Sequence, residues 1–188
     1  MAGGFLKEIR IHGRGGQGSV VLAELLAIAA WNDGRYSQAF PFLGGGGERR
    51  GKPVQAFARI DDRLIRLRSR IYCPDYVIIQ DYTILKEIDA LAGLKQNGVA
   101  LVSTEAPLPP LTRKDITLVE IPASRIAVEV MGRPLINAAL LGAFSAVTGE
   151  VSLQSVVSAI LGQFHGAIGE QNVEIAKRAN DYFSKDSK

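Results

Sequence analysis

The stretch Glu8-Ile9-Arg10-Ile11-His12-Gly13-Arg14-Gly15-Gly16-Gln17-Gly18-Ser19 decides how the chain is read. Apolar Leu6, Ile9 and Ile11 alternate with charged Lys7, Glu8 and Arg10, a two-residue period that predicts a strand. The alternation runs into four glycines within six residues, and the apolar run Val20 to Trp31 follows at once. That order reads as strand, tight loop, helix. Glycines let bare backbone approach a ligand, and a helix starting at Ser19-Val20 would aim its N–H groups and positive dipole end at the same place. The same loop also reads as a turn that only lets helix pack on sheet.

Gly13-x-Gly15-x-x-Gly18 has the dinucleotide-binding spacing, yet the rest of that fingerprint is missing. A carboxylate should close the second strand to hold the ribose hydroxyls, roughly 20 residues on. The second strand reads as Tyr36 to Phe40 closed by Pro41, and Asp33 belongs to an Asn32-Asp33-Gly34 turn before it. No Gly-Lys-Ser/Thr follows the glycines, so the P-loop pattern fails as well.

The remaining chain alternates strand and helix: strands at Tyr76–Gln80, Val99–Ser103 and Thr117–Ile121, and a helix from about Ile84 to Leu94. Ser124 is expected to cap a helix holding Ile126, Val128 and Val130, and Ser152 to cap the helix Leu153–Phe164. Helices are also expected at Leu135–Val147 and Asn172–Phe183. A hairpin is expected from Val54–Ile60 and Leu64–Arg70, turning at Asp61-Asp62. On its second strand Arg66, Arg68 and Arg70 would share one face, roughly 6.6 Å apart, with no carboxylate on the strand opposite. Such a face points to a contact with a partner. The fold class is therefore α/β: a mostly parallel sheet covered by helices on both faces, with a Rossmann-like start, an inserted β-hairpin and a helical C-terminal part. One domain, 1–188, is expected for 188 residues.

Composition narrows the function. The net charge of +3 is mild and arginine is dense only between Arg49 and Arg70, which favours a local anionic ligand over nucleic acid. One cysteine, Cys73, allows no internal disulfide and no cluster held by this chain alone. No signal peptide or membrane span is read, so a cytoplasmic protein is expected. Catalytic machinery is sparse. His12 reads as a hydrogen-bonded structural residue and His165 as a cap; no His/Cys set has metal-ligand spacing, and Ser19 has no base partner. Pro41-Phe42-Leu43-Gly44-Gly45-Gly46-Gly47-Glu48-Arg49-Arg50 reads as a loop carrying a Glu-Arg-Arg cluster, either a plain connector or a clamp over an acidic ligand.

Several separated motifs carry a family resemblance: His12 to Gly18, Gln38-Ala39-Phe40-Pro41, Glu48 to Val54, Arg66-Leu67-Arg68-Ser69, Ile71-Tyr72-x-Pro74-Asp75, Gly132-Arg133-Pro134-x-x-Asn137 and Leu141 to Phe144. Together they resemble the gamma subunit of 2-oxoacid:ferredoxin oxidoreductases, over nearly the whole chain. The resemblance implies a complex that oxidatively decarboxylates a 2-oxo acid to acyl-CoA and CO2. It implies companion alpha, beta and iron–sulfur subunits that hold thiamine diphosphate, Mg and the clusters, and ferredoxin or NAD as acceptor through other subunits. Anaerobic metabolism is the expected setting. The resemblance links the subunit to the coenzyme A side of the reaction. The convergence of a helix start, glycines and guanidiniums at Arg14, Gly15, Gly16, Gln17 and Gly18, with Arg49 or Arg50, makes these the expected contacts for its anionic part; the competing reading is that Arg14 and Gln17 only brace a neighbouring subunit. The chain departs from the family at Phe42 to Gly47, where relatives carry a shorter Ser-Phe-Gly-Pro-like segment; a bulkier 2-oxo acid, such as an aromatic one, is the matching expectation. The competing readings are a stand-alone NAD(P)- or nucleotide-binding oxidoreductase domain and a purely structural interaction protein.

Overall fold

In the computed structural model, which describes residues 6–42, 50–110 and 113–184, the opening alternation becomes β1, Lys7–Arg14. Ile9 and Ile11 are wholly buried on one face, while Glu8, Arg10 and His12 look to the other. The glycine loop then delivers α1, Ser19–Asn32. It ends where Asp33 N–H reaches Ala29 O at 3.1 Å and Gly34 takes the left-handed conformation.

Next come β2 (Tyr36–Phe42), β3 (Pro53–Asp61), β4 (Tyr76–Ile79), a 3-10 helix (Tyr82–Lys86), β5 (Val99–Ser103) and β6 (Thr117–Ile121). The helices α2 (Ala123–Met131), α3 (Asn137–Thr148), α4 (Leu153–Gln163) and α5 (Gly166–Ser184) complete the chain. The six strands lie in the order β2-β3-β1-β4-β5-β6. β1, β4, β5 and β6 are parallel, and only β3 runs against the rest, paired to β1 on one side and β2 on the other. This is the expected α/β class.

Three local expectations change. The antiparallel hairpin exists, but β2 and β3 make it, with register Tyr36 to Asp61 and Phe42 to Gln55. Leu64–Arg70 is not a strand. The reason is geometric: a strand has two hydrogen-bonding edges, and those of β3 are filled by β1 and β2. β2 also runs through Pro41, which an edge strand tolerates because its missing N–H can face outward. The helix expected over 84–94 shrinks to the 3-10 helix, capped by Asp81 Oδ1 accepting from Thr83 N–H at 2.9 Å. Ser124 lies inside α2, whose N-cap is Pro122, whereas Ser152 does cap α4, accepting from Ser155 N–H at 3.1 Å.

The two faces of the sheet are covered differently. All five α-helices contribute to one core with Ile9, Ile11, Ala58, Ile78 and Leu101. The other face holds a smaller core, Val77, Ile79, Ala100 and Val102 under Ile84, Leu91 and Leu94, closed by the 3-10 helix and irregular chain. Towards β3 that face is polar yet buried. Arg59, 0% exposed, pairs with Glu8 Oε1 at 2.9 Å and donates to Ser69 O at 2.6 Å and Leu67 O at 3.5 Å. Arg10 donates to the carbonyls of Tyr72 (3.4 Å) and Ala90 (3.1 Å). Two arginines thus lash irregular segments onto a face that apolar packing alone would not hold.

Candidate functional site

The glycine loop leaves β1 at the carboxyl edge of the parallel strands, where open α/β sheets collect ligands. Its shape comes from close backbone approach. A Cβ at Gly13 would overlap Gln80 Oε1 and Ser19 Oγ, and Gly18 (φ +74) sits left-handed with Asn137 Nδ2 in the space a Cβ would take. Beneath the loop runs a connected polar network. Ser19 Oγ donates to Gln80 Oε1 at 2.5 Å; Gln80 Nε2 donates to Asn137 Oδ1 at 2.7 Å and Gln17 O at 3.2 Å; Asn137 Nδ2 donates to Gly18 O at 3.1 Å. The end of β4 and the start of α3 therefore fix the loop from below. Gly18 serves as N-cap of α1, and among the described residues no side chain caps the helix start at this edge.

Above the loop, Arg14 is fully engaged by its own chain. Its Nε meets Asp81 Oδ2 at 2.7 Å, and Nη2 meets Glu87 Oε1 and Thr83 Oγ1, both at 2.6 Å. Nη1 donates to Gly51 O at 3.1 Å. The hydrogen bonds to Glu87 and then Asp81 raise the Arg14 pKa still further. Burial pushes Asp81 upward, but Thr83 and Arg14 prevail and hold its carboxyl below the usual carboxylate range. Gly15 N–H donates to Lys52 O at 2.9 Å, Gly51 N–H to Gly15 O at 3.0 Å, and Gly15 bridges Arg50. The glycine loop and the chain entering β3 thus form one cationic rim: Arg14, Arg50 and Lys52. Beside it a cavity of about 390 Å³ is lined by Gln17, Gln80, Asp81, Ser103, Thr104 and Pro134 among others.

Of the residues read from the sequence, Arg14, Gly15, Gly16, Gln17, Gly18 and Arg50 come together at this edge. Arg49, with the rest of 43–49, lies outside the described residues. Gln80, Thr83 and Glu87 were not foreseen; no motif marked them. Asn137 had a signal in Gly132-Arg133-Pro134-x-x-Asn137, and Asp81 in its place after a buried strand. His12 differs from expectation: it is 2% exposed, and neither ring nitrogen has a hydrogen-bond partner. Burial, with nearby Arg10, pushes its pKa down to about 3. His165 follows α4 and is exposed. Among the described residues no group of three or more His, Cys, Asp or Glu is placed to hold a metal ion, and no helix is long and apolar enough to cross a membrane.

Fold and loop define a class, the open α/β proteins with a Rossmann-like first β–loop–α unit whose glycine loop meets a cationic rim. The model of the family described as pyruvate ferredoxin/flavodoxin oxidoreductase matches residues 8–182. Pyruvate synthase subunit PorC of Methanocaldococcus jannaschii is 51% identical over 172 residues, 92% of this chain and 94% of that one. The pyruvate/ketoisovalerate oxidoreductases common subunit gamma of Thermococcus kodakarensis is 48% identical over 182 residues, 95% and 96% of the two chains. The crystal structure of pyruvate oxidoreductase subunit PORC from Thermotoga maritima superposes with a TM-score of 0.79 at 32% identity, covering 94% of this chain and 96% of that one. The chain belongs to the 2-oxoacid:ferredoxin oxidoreductase family, as a gamma subunit of a multi-subunit enzyme complex.

Proposed function

We propose that the chain, one domain from 1 to 188, serves a complex that oxidatively decarboxylates a 2-oxo acid to acyl-CoA and CO2. Its companions are alpha, beta and iron–sulfur subunits, which hold thiamine diphosphate, Mg and the clusters and pass electrons to ferredoxin or NAD. This division is motivated by the single cysteine, Cys73, which cannot hold a cluster by itself. Thiamine diphosphate, where bound, supplies the carbanion chemistry; this chain's residues position and hold. The glycine loop Gly15–Gly18 with Arg14, Arg50 and Arg49 binds the anionic part of coenzyme A.

The observation that carries the loop's role is the shared edge. The N-terminus of α1, the left-handed glycines and the rim of Arg14, Arg50 and Lys52 converge there, and phosphate is the group such a site suits. Within the chain Arg14 already neutralises Asp81 and Glu87, so it acts as a brace that sets the loop, while exposed Arg50 is the freer cation. In the purified, assembled complex, Arg50→Ala is expected to raise the KM for CoA roughly tenfold, about 1.4 kcal/mol, and to leave the KM for the 2-oxo acid nearly unchanged. An unchanged CoA KM in both Arg50→Ala and Arg14→Ala complexes removes the loop from the CoA site. Recovery of the chain from its native host as a lone monomer would sink the subunit reading itself.

A further inference from the structure

The segment after β3 is the most cationic stretch of the surface. Arg63-Leu64-Ile65-Arg66-Leu67-Arg68-Ser69-Arg70 places four arginines in eight residues without an acid among them. Among the described residues, none of these guanidiniums pairs with a carboxylate, although Arg14, Arg35, Arg59, Arg113 and Arg178 all do. Arg70 instead lies over the Phe42 ring at 3.5 Å. Large apolar groups are exposed beside the charges: Leu64 at 62%, Leu67 at 46% and Tyr72 at 66%. A groove of about 670 Å³ runs between this segment and β2, lined by Gln38, Phe40, Leu64 and Arg66 to Arg68.

The backbone is held from one side only. The carbonyls of Ile65, Leu67 and Ser69 accept from Gln38 and Arg59, a two-residue period that belongs to extended chain. In such chain the alternate residues, Arg66 and Arg68, turn their backbone groups to the opposite side, and among the described residues their N–H groups make no hydrogen bond. Guanidiniums without a carboxylate partner among the described residues, exposed Tyr and Leu, and the outward backbone N–H groups of Arg66 and Arg68 suit an acidic partner.

We propose that residues 63–72 are a docking strip for an acidic, extended segment of a companion subunit of the complex, seated along the groove with its carboxylates on Arg66 and Arg68. The proposal rests on the gamma-subunit reading. The mild net charge of +3 argues for a local protein contact over a polynucleotide.

The test uses the chain with its companion subunits, followed by sedimentation at low and physiological salt and by amide hydrogen exchange. Arg66→Glu/Arg68→Glu is expected to weaken assembly tenfold or more and to flatten its salt dependence, whereas Arg66→Lys/Arg68→Lys keeps most of both. In the wild-type complex the amides of 64–70 are expected to exchange more slowly than in the free chain, a readout that needs no variant to fold. Assembly of the Glu variant with wild-type affinity, or equal exchange rates in both states, overturns the docking strip while leaving the subunit reading intact. Failure of the wild-type chain to join any companion overturns both. Salt-sensitive binding of the free chain to a polynucleotide probe, lost in the Glu variant while assembly is unaffected, overturns it in favour of nucleic acid.

Discussion

At Gly13 the demand on the residue is purely steric. Its backbone passes so close to Gln80 and Ser19 that a single methyl displaces the hydrogen bond between them. Gly13→Ala is expected to cost about 2 kcal/mol or more, because an overpacked site also strands buried polar atoms; chemical denaturation reads this directly. His12, next to it, carries a pH signature. Its native pKa, about 3, lies below the value of 6.5 for an unperturbed histidine. Between those values the unfolded chain binds a proton that the native chain refuses, so stability is full above pH 6.5 and falls as pH drops towards 3. Phe at position 12 fills a similar volume without the titration. The slope of unfolding free energy against pH is expected to be shallower in His12→Phe across that window, and equal slopes would show that His12 is protonated in the fold. The sequence placed both residues at the strand end. It did not show that the imidazole would be sealed, since that depends on which irregular segment covers the second face.

At the scale of elements, the polar groups on β1 and β3 organise more than the apolar ones. Arg59 looks like one more surface arginine in sequence, yet it holds Glu8 and two carbonyls of the following segment while wholly buried. Replacing it by Leu leaves Glu8 without its partner and frees the segment, and about 3–5 kcal/mol of destabilisation is expected in urea unfolding. A cost under about 1 kcal/mol would mean that the segment stays on the sheet by other contacts. The alternation in Leu64–Arg70 suggested a strand because periodicity reports which residues could share a face, not whether a pairing edge is vacant. The turn at Asp33 was legible, but its second role was not. Asp33 closes α1 and also accepts from Ser152 N–H at 2.7 Å and from the hydroxyls of Ser152 and Ser155, both at 2.6 Å, joining the end of α1 to the start of α4. Asp33→Ala is expected to cost about 1 kcal/mol, the ordinary worth of a helix cap, with Tm as the measure.

For the whole molecule, strand order decides what the glycine loop can hold. The strand periods and the loop made the α/β class readable, because a glycine-rich turn between strand and helix leaves few topologies open. The order β2-β3-β1 was not readable, since the antiparallel β3 enters between β1 and the strand that precedes it in sequence. That insertion has a chemical consequence. In a dinucleotide-binding sheet the neighbour of β1 is parallel and ends in the carboxylate that holds the ribose diol. Here the neighbour is antiparallel, and what meets the end of β1 is the start of β3: Arg14 faces Pro53, and Gly15 bonds the backbone of Gly51 and Lys52. The ribose carboxylate is thus replaced by Arg50 and Lys52, cations that suit a phosphate but, as donors only, cannot accept from the two hydroxyls as a carboxylate does. The free chain is accordingly expected to show no saturable quenching or enhancement of NADH fluorescence up to millimolar concentration. Saturable binding in the micromolar range, lost in Gly18→Val, would overturn this and return the loop to dinucleotide recognition.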